Sequence, residues 1–198
     1  MNGVTNGLFY MKLALQNIKK NAQTYVPYIL TFIGSVMMFD IILTLADNKE
    51  IAAMHGGSDM RTILGLGCYI IALFTAVFLF YTNSFLMKRR KKEIGLFNIL
   101  GMGKKHIGFI LFFETAIIGA VSLGAGITGG FVLSKAVHLL LLRLAQAPVQ
   151  WGLYFSGKAA LMSVLLYGTV FLLILAGTLA RVHVSSPVEL LRGGQGGE

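Results

Sequence analysis

Four apolar runs, at about 26–46, 63–87, 107–132 and 159–180, dominate this chain, and each is long enough to cross the hydrocarbon core of a bilayer. Lipid offers no partners to backbone N–H and C=O groups, so a segment that crosses it alone must be a helix. Composition agrees. Of the 198 residues, 56% are hydrophobic, 13% are charged and 24 are glycine, above the roughly 45–50% apolar content of a soluble domain. Mean hydropathy is +0.74. The expected fold class is therefore an all-α integral membrane protein with four transmembrane helices, short connections and no room for a soluble domain of ordinary size.

The first run is entered through Tyr25 and Pro27, and proline is tolerated in the first turn of a helix. The polar leader before it is long, the run itself is a full span, and no clear small-residue cleavage site follows, unlike a signal peptide. The leader, 1–25, reads as an amphipathic helix. Leu8, Met11, Leu15 and Ile18 recur at helical spacing, while Lys12, Gln16, Lys19, Lys20 and Gln23 gather on another side. Apolar burial and attraction of lysines to anionic headgroups place it along the inner membrane surface, with partner docking as the second reading.

Charge sets the orientation. With both termini and the 88–106 connector inside, twelve of the 17 Lys and Arg lie in the cytoplasm, and Lys49, Arg61, Lys135, Arg143 and Lys158 lie outside. Lys and Arg resist translocation, so the asymmetry predicts cytoplasmic termini in a plasma membrane. The basic residues flank spans and belong to no soluble recognition fold, which excludes nucleic acid as the partner of the +9 charge. The first outer connection, 47–62, holds Gly56-Gly57. The second, 133–158, holds an apolar run at 137–142, which predicts an interfacial helix, with Trp151 and Tyr154 as membrane anchors rather than substrate contacts. Near the C-terminus, Ser186-Pro187-Val188-Glu189 predicts a short helix over 187–192, followed by a flexible tail at 193–198.

Polar and small residues inside the spans are the remaining signals. Ser122, Gly126 and Gly130 share one face of the third span, and Ala116, Ala120 and Gly124 another. Small residues let helices approach in lipid, so static packing is expected in preference to a sliding surface. Intramembrane carboxylates are costly and face a protein interior, a cavity or a partner. Asp40 is expected to snorkel to the outer interface rather than to act chemically, and Glu114 to serve as an interhelical hydrogen-bonding or conformational residue. Cys68, the single cysteine, reads as a small buried hydrophobe. No phosphate loop, zinc helix or serine elbow occurs, and His55, His106, His138 and His183 are scattered, so neither catalytic nor metal-binding residues are assigned. An enzyme acting on lipid would need a nucleophile and base pair that the sequence does not display.

Between the second and third runs lies Lys88-Arg89-Arg90-Lys91-Lys92-Glu93-Ile94-Gly95-Leu96-Phe97-Asn98-Ile99-Leu100-Gly101-Met102-Gly103-Lys104-Lys105. Its cations mark the cytoplasmic side, and apolar residues there need a cover of lipid headgroups, other helices or a partner. This segment resembles the cytoplasmic connector of the FtsX-like permeases of ABC transporters, and Ser-Pro-Val-Glu-Leu-Leu-Arg at 186–192 is similar to that family's ending. The leader Phe9-Tyr10-Met11-Lys12-Leu13-Ala14-Leu15-Gln16-Asn17-Ile18-Lys19-Lys20-Asn21, with Thr24-Tyr25-Val26-Pro27-Tyr28, resembles the bacitracin-export (BceB-type) branch.

The resemblance implies a permease unit over 60–192, with a cytoplasmic coupling helix at 89–105 between spans two and three. It further implies a separate cytoplasmic ABC ATPase that binds the ATP, no cofactor of the chain's own, and a role in resistance to peptide antibiotics that bind cell-wall lipid intermediates. A membrane histidine kinase is a second implied partner. Matching positions assign ATPase coupling to Glu93, Ile94, Gly95, Leu96, Phe97, Leu100 and Gly101. The BceB-type branch has ten spans, two such units and a large outer domain, so the likeness is to its N-terminal four-span part, and a remaining permease half or a second copy is expected. The alternative class is a non-transporting membrane module that docks an ATPase or sensor kinase and relays its state.

Overall fold

The computed structural model describes residues 3–53, 56–99, 101–144 and 156–184. They form α1 (Gly3–Lys20), α2 (Ala22–Asp47), α3 (Lys49–Ala52), α4 (Gly57–Ile99), α5 (Lys104–Leu144) and α6 (Gly157–Val184), with no strand among the described residues. α2, α4, α5 and α6 are the four helices long and apolar enough to span a membrane. Trp151, Tyr154, Leu100 and the 187–192 segment lie outside the described residues.

Three expectations change. The connector does not form a helix of its own: α4 runs unbroken from the second span to Ile99. From Lys88 to Ile99 there is no proline and Gly95 is the one glycine, and Arg90 and Glu93 pair three residues apart, so nothing stops the helix at the membrane surface. Gly101 ends it with φ +87°, and the Met102 N–H reaches back to the Phe97 carbonyl at 3.0 Å. That six-to-one closure is a Schellman cap, and the apolar contact that accompanies one is present: Phe97 and Met102 pack on the same buried cluster. The apolar run 137–142 is likewise not a separate interfacial helix but the continuation of α5 to Leu144. Finally, α2 begins at Ala22, so Pro27 stands inside the helix rather than in its first turn, and its missing N–H leaves the bond to the Gln23 carbonyl unmade.

Two compact units divide these helices. The first takes α1, α2 to Ile29, Phe80–Ala120 of α4 and α5, and α6 from Val170; the second takes Leu30–Leu79 and Val121–Thr169. In the first, Met87, Ile94, Ile107, Leu111 and Val182 form a buried apolar cluster. In the second, Tyr167 is fully buried, its ring meets Phe32 and Phe39, and its hydroxyl donates to the Ser35 carbonyl at 2.6 Å.

The small-residue face of α5 meets α2 within the second unit. A Cβ on Gly126 would stand 2.5 Å from the Val36 Cβ, and one on Gly130 would stand 2.8 Å from an Asp40 carboxylate oxygen. Ser122, on the same face, is fully buried. Asp40 therefore does not snorkel. Its side chain is 4% exposed, turned onto Gly130, and accepts a hydrogen bond from Ser163 Oγ at 3.3 Å. The closeness of a glycine backbone explains the difference, because it gives the carboxylate a protein niche that hydropathy along one helix cannot reveal.

At the other end of the second unit, Asn48 caps α3 by accepting from the Glu50 N–H at 2.8 Å and donates to His138 Nδ1 at 2.9 Å. His138 Nε2 lies 3.0 Å from Glu50 Oε2. Ser156 Oγ donates to Asp47 at 2.8 Å and accepts from the Ala159 N–H, opening α6.

Candidate functional site

The turn at Gly101 folds α4 and α5 into an antiparallel hairpin, which brings residues equally far from its centre to similar depth. Arg90 and Glu114 stand twelve positions either side of Met102, and they meet. The guanidinium binds the carboxylate with two nitrogens, Nη1 to Oε2 and Nη2 to Oε1, the latter at 3.1 Å. Arg90 is 4% exposed and Glu114 2%. Each is an ion that would be expensive to bury alone.

Four more side chains complete the arrangement. The Tyr25 hydroxyl donates to Glu114 Oε2 at 2.8 Å and Asn17 Nδ2 donates to Oε1 at 3.0 Å. Glu114 thus receives four donors, which fills the acceptor capacity of a carboxylate. Arg90 Nε lies 3.4 Å from Glu93 Oε2, and Asn21 Nδ2 donates to that same oxygen at 3.1 Å. The Tyr25 ring also lies beneath the Arg90 guanidinium, 5.3 Å from centroid to carbon. One network therefore joins α1, the turn at Asn21, α2, α4 and α5, and displacement of the end of α4 must carry the others or break it.

The leader helix docks through its less apolar face. Ala14 is fully buried, Asn17 and Asn21 enter the network, and the Tyr10 ring stacks on Phe109 while its hydroxyl shares a hydrogen bond with His106 Nδ1. Leu8 and Phe9 remain exposed, as do Met11 and Leu15 to a smaller extent.

The segment assigned to coupling divides by helical phase. Ile94 and Gly95 are buried, and Phe97 is half-buried against the Met87–Ile107–Leu111 cluster. Glu93 is held by Arg90 and Asn21, and Gly101 forms the exposed left-handed turn. Of the described members only Leu96 is an exposed apolar side chain, at 53%, and Ile99, which the sequence reading passed over, accompanies it at 58%. Leu96 and Ile99 share one face three residues apart, at the tip of a helix that also presents exposed Lys88, Arg89 and Lys91.

Sequence reasoning also missed Arg90, Tyr25, Asn17 and Asn21. A signal for Arg90 was available: Met87, Arg90, Ile94 and Phe97 follow a three-four-three spacing that puts the arginine on the apolar face of α4, opposite a carboxylate across the turn. Nothing in the leader marked its asparagines as inward.

Residues 65–186 match the FtsX-like permease C-terminal family, more than half of the chain. The chain is 33% identical over 185 residues to the bacitracin export permease protein BceB of Bacillus subtilis (strain 168), covering 91% of this chain and 28% of that protein. It is 32% identical over 186 residues to the protein of the same name from Halalkalibacterium halodurans, covering 89% of this chain and 29% of that relative. An uncharacterized ABC transporter permease, YvcS of Bacillus subtilis (strain 168), is 26% identical over 182 residues. The chain spans less than a third of the length of these relatives.

Proposed function

Because the chain belongs to the FtsX-like permease family and is a multi-pass membrane protein, we propose that it works as a permease subunit, or the N-terminal half of one, in an ABC transporter. ATP is hydrolysed by a separate cytoplasmic ATPase, and both termini and the α4–α5 turn face that side. The observation that carries this reading is the exposed pair Leu96 and Ile99 on a cationic helix tip that is tied rigidly to its neighbours. Burying an apolar side chain of this size contributes about 1.5–3 kcal/mol, which favours a protein partner over water. Force applied at the tip passes through α4 to Arg90, and from there through Glu114 and Tyr25 to α5 and α2.

The exposed Leu8, Phe9, Met11 and Leu15 of α1 rest on the inner membrane surface, with the leader lysines at the headgroups. Two relatives named as bacitracin export permeases support a cargo of peptide antibiotic or lipid-linked envelope precursor. A remaining permease half or a second copy completes the translocation path, and a histidine kinase reads the transporter's state.

The test is ATP hydrolysis by a candidate ABC ATPase from the same organism, with both proteins reconstituted in vesicles. Stimulation by the permease should disappear in Leu96→Asp/Ile99→Asp while membrane insertion and helix content stay unchanged, since both side chains are exposed. Undiminished stimulation in that variant would remove the coupling assignment. Protection of cells from bacitracin separates a transporter from a module that only docks and relays.

A further inference from the structure

Where α2 meets α5 in the second unit, polar residues recur one helical turn apart on both helices. Asn48 bonds to His138, Thr44 and Ser134 line one hollow, and Asp40 rests on Gly130. Asn48, His138, Thr44, Ser134 and Asp40 are all buried. The next contact along, Val36 against Gly126, is apolar and close, with Phe32 fully buried a turn beyond. The polar column therefore ends at Asp40, and its entrance is at His138, beside the part-exposed Glu50.

Asp40 is poorly furnished for an ion. Among the described residues no Lys, Arg or His pairs with it, and its one hydrogen bond, from Ser163 Oγ, spans 3.3 Å. Glu114, by contrast, takes four donors, two of them from Arg90. The charged side chains that face the column stand at its entrance: Glu50 from α3, Lys135 from α5, and Asp47 of α2 with Lys158 of α6 at 3.8 Å. Beyond Ser163, α6 brings only the Tyr167 hydroxyl, already given to the Ser35 carbonyl. An isolated carboxylate is so costly to bury that the group takes a proton instead.

The column also has room for a carrier of that proton. Thr44, Asn48, Ser134 and His138 line a hollow of about 20 Å³, and a single water needs about 10–15 Å³ with polar partners around it. The Thr44 hydroxyl is 7% exposed and makes no hydrogen bond among the described residues. Ser134 Oγ gives its hydrogen to the Phe131 carbonyl at 2.9 Å and keeps lone pairs for an incoming donor. Thr44 and Asp40 stand four residues apart, about 6 Å along the axis, which one bridging water closes with two hydrogen bonds of about 2.8 Å.

We infer that Asp40 is a proton-binding site, reached from the His138 end through water and the Thr44 hydroxyl. Each water or hydroxyl on the way gives up one hydrogen as it receives another, so only the Asp40 carboxylate gains a proton and loses its charge; release runs the steps in reverse. The charge on Asp40 then sets how closely α2, α5 and α6 approach, because a neutral carboxyl rests against the Gly130 backbone whereas an ion draws water in. The site stands apart from the coupling reading. Only the side of the membrane that its entrance faces depends on the orientation proposed above.

Infrared spectroscopy of the whole chain in lipid vesicles tests this. At neutral pH a carboxylic-acid carbonyl band should be present in the wild type and absent in Asp40→Asn. On transfer to heavy water the band should shift promptly in the wild type and in Thr44→Ser. In Thr44→Val the shift should be about a hundredfold slower, the low end of what a positioned proton-transfer group contributes. Thr169→Val, which removes an exposed hydroxyl of α6, should exchange like the wild type, and circular dichroism verifies that each variant is folded. Absence of the acid band from the wild type, its survival in Asp40→Asn, or equal exchange rates in Thr44→Val and the wild type would each overturn the proposal. Labelling of Lys135→Cys in whole cells, in a Cys68→Ser background, reports which side the entrance faces, so an error of orientation is distinguishable from an absent proton site.

Discussion

Removing the charge of Glu114 is the sharpest probe of the molecule's internal wiring. Glu114→Gln keeps one acceptor oxygen for Tyr25, Asn17 or Arg90 but leaves the buried Arg90 with the 3.4 Å contact to Glu93 as its remaining ion pair among the described residues. Breaking a buried pair by removing one partner costs about 3–5 kcal/mol, and the Glu93 contact puts this variant near 3. Glu114→Ala also strands the Tyr25 hydroxyl and the Asn17 amide, adding about 1–3 kcal/mol for each unsatisfied group, so it should approach the level at which the first unit no longer folds. Arg90→Met/Glu114→Leu replaces the whole pair with apolar volume and should recover much of the loss, because desolvation of both ions is then avoided. The assay is the fraction of chain remaining monodisperse in detergent after heating, for wild type, Glu114→Gln, the two single variants Arg90→Met and Glu114→Leu, and the double variant that combines them. For a chain of this length about 2–4 °C is lost per kcal/mol, so Glu114→Gln should lower the midpoint by roughly 6–12 °C. Single losses below about 1 kcal/mol, or losses that add to within about 0.5 kcal/mol in the double variant, would refute the claim that these residues act as one buried unit.

Two glycine comparisons probe the packing. Gly126→Ala puts a methyl 2.5 Å from Val36 and should destabilise by about 1–2 kcal/mol, whereas Gly124→Ala, with nothing within 4 Å, should be neutral or stabilise by up to about 1 kcal/mol; thermal unfolding of both variants in one detergent measures the contrast. Gly101→Ala forces a side chain into φ +87° and should cost about 1–2 kcal/mol, while Gly103→Ala, which would meet only His106 at 3.8 Å, should cost little in the same assay.

Hydropathy carried the fold class because a spanning helix is dictated by a local property, a long run with no competing hydrogen-bond partners. The run 137–142 was misjudged as a loop helix because the same hydropathy suits an interfacial helix and an extension of the third span; continuity with α5 decides between them. The coupling segment was legible as cytoplasmic from its charge, yet its division was not. Phe97 and Leu96 are neighbours in sequence with similar hydrophobicity, and only the position of α5 turns one inward and leaves the other in the open.

The chain's sequence by itself determined that four helices cross a membrane, where the basic connector falls and which residues could break a helix, since each depends on a short stretch of chain. Tertiary structure alone decided which cation of Lys88-Arg89-Arg90-Lys91 is a structural ion. All four have the same charge and nearly the same neighbours in sequence. Arg90 is singled out because the helical phase that buries Met87, Ile94 and Phe97 also points it at Glu114, and only the pairing of α4 with α5 makes that direction the interior.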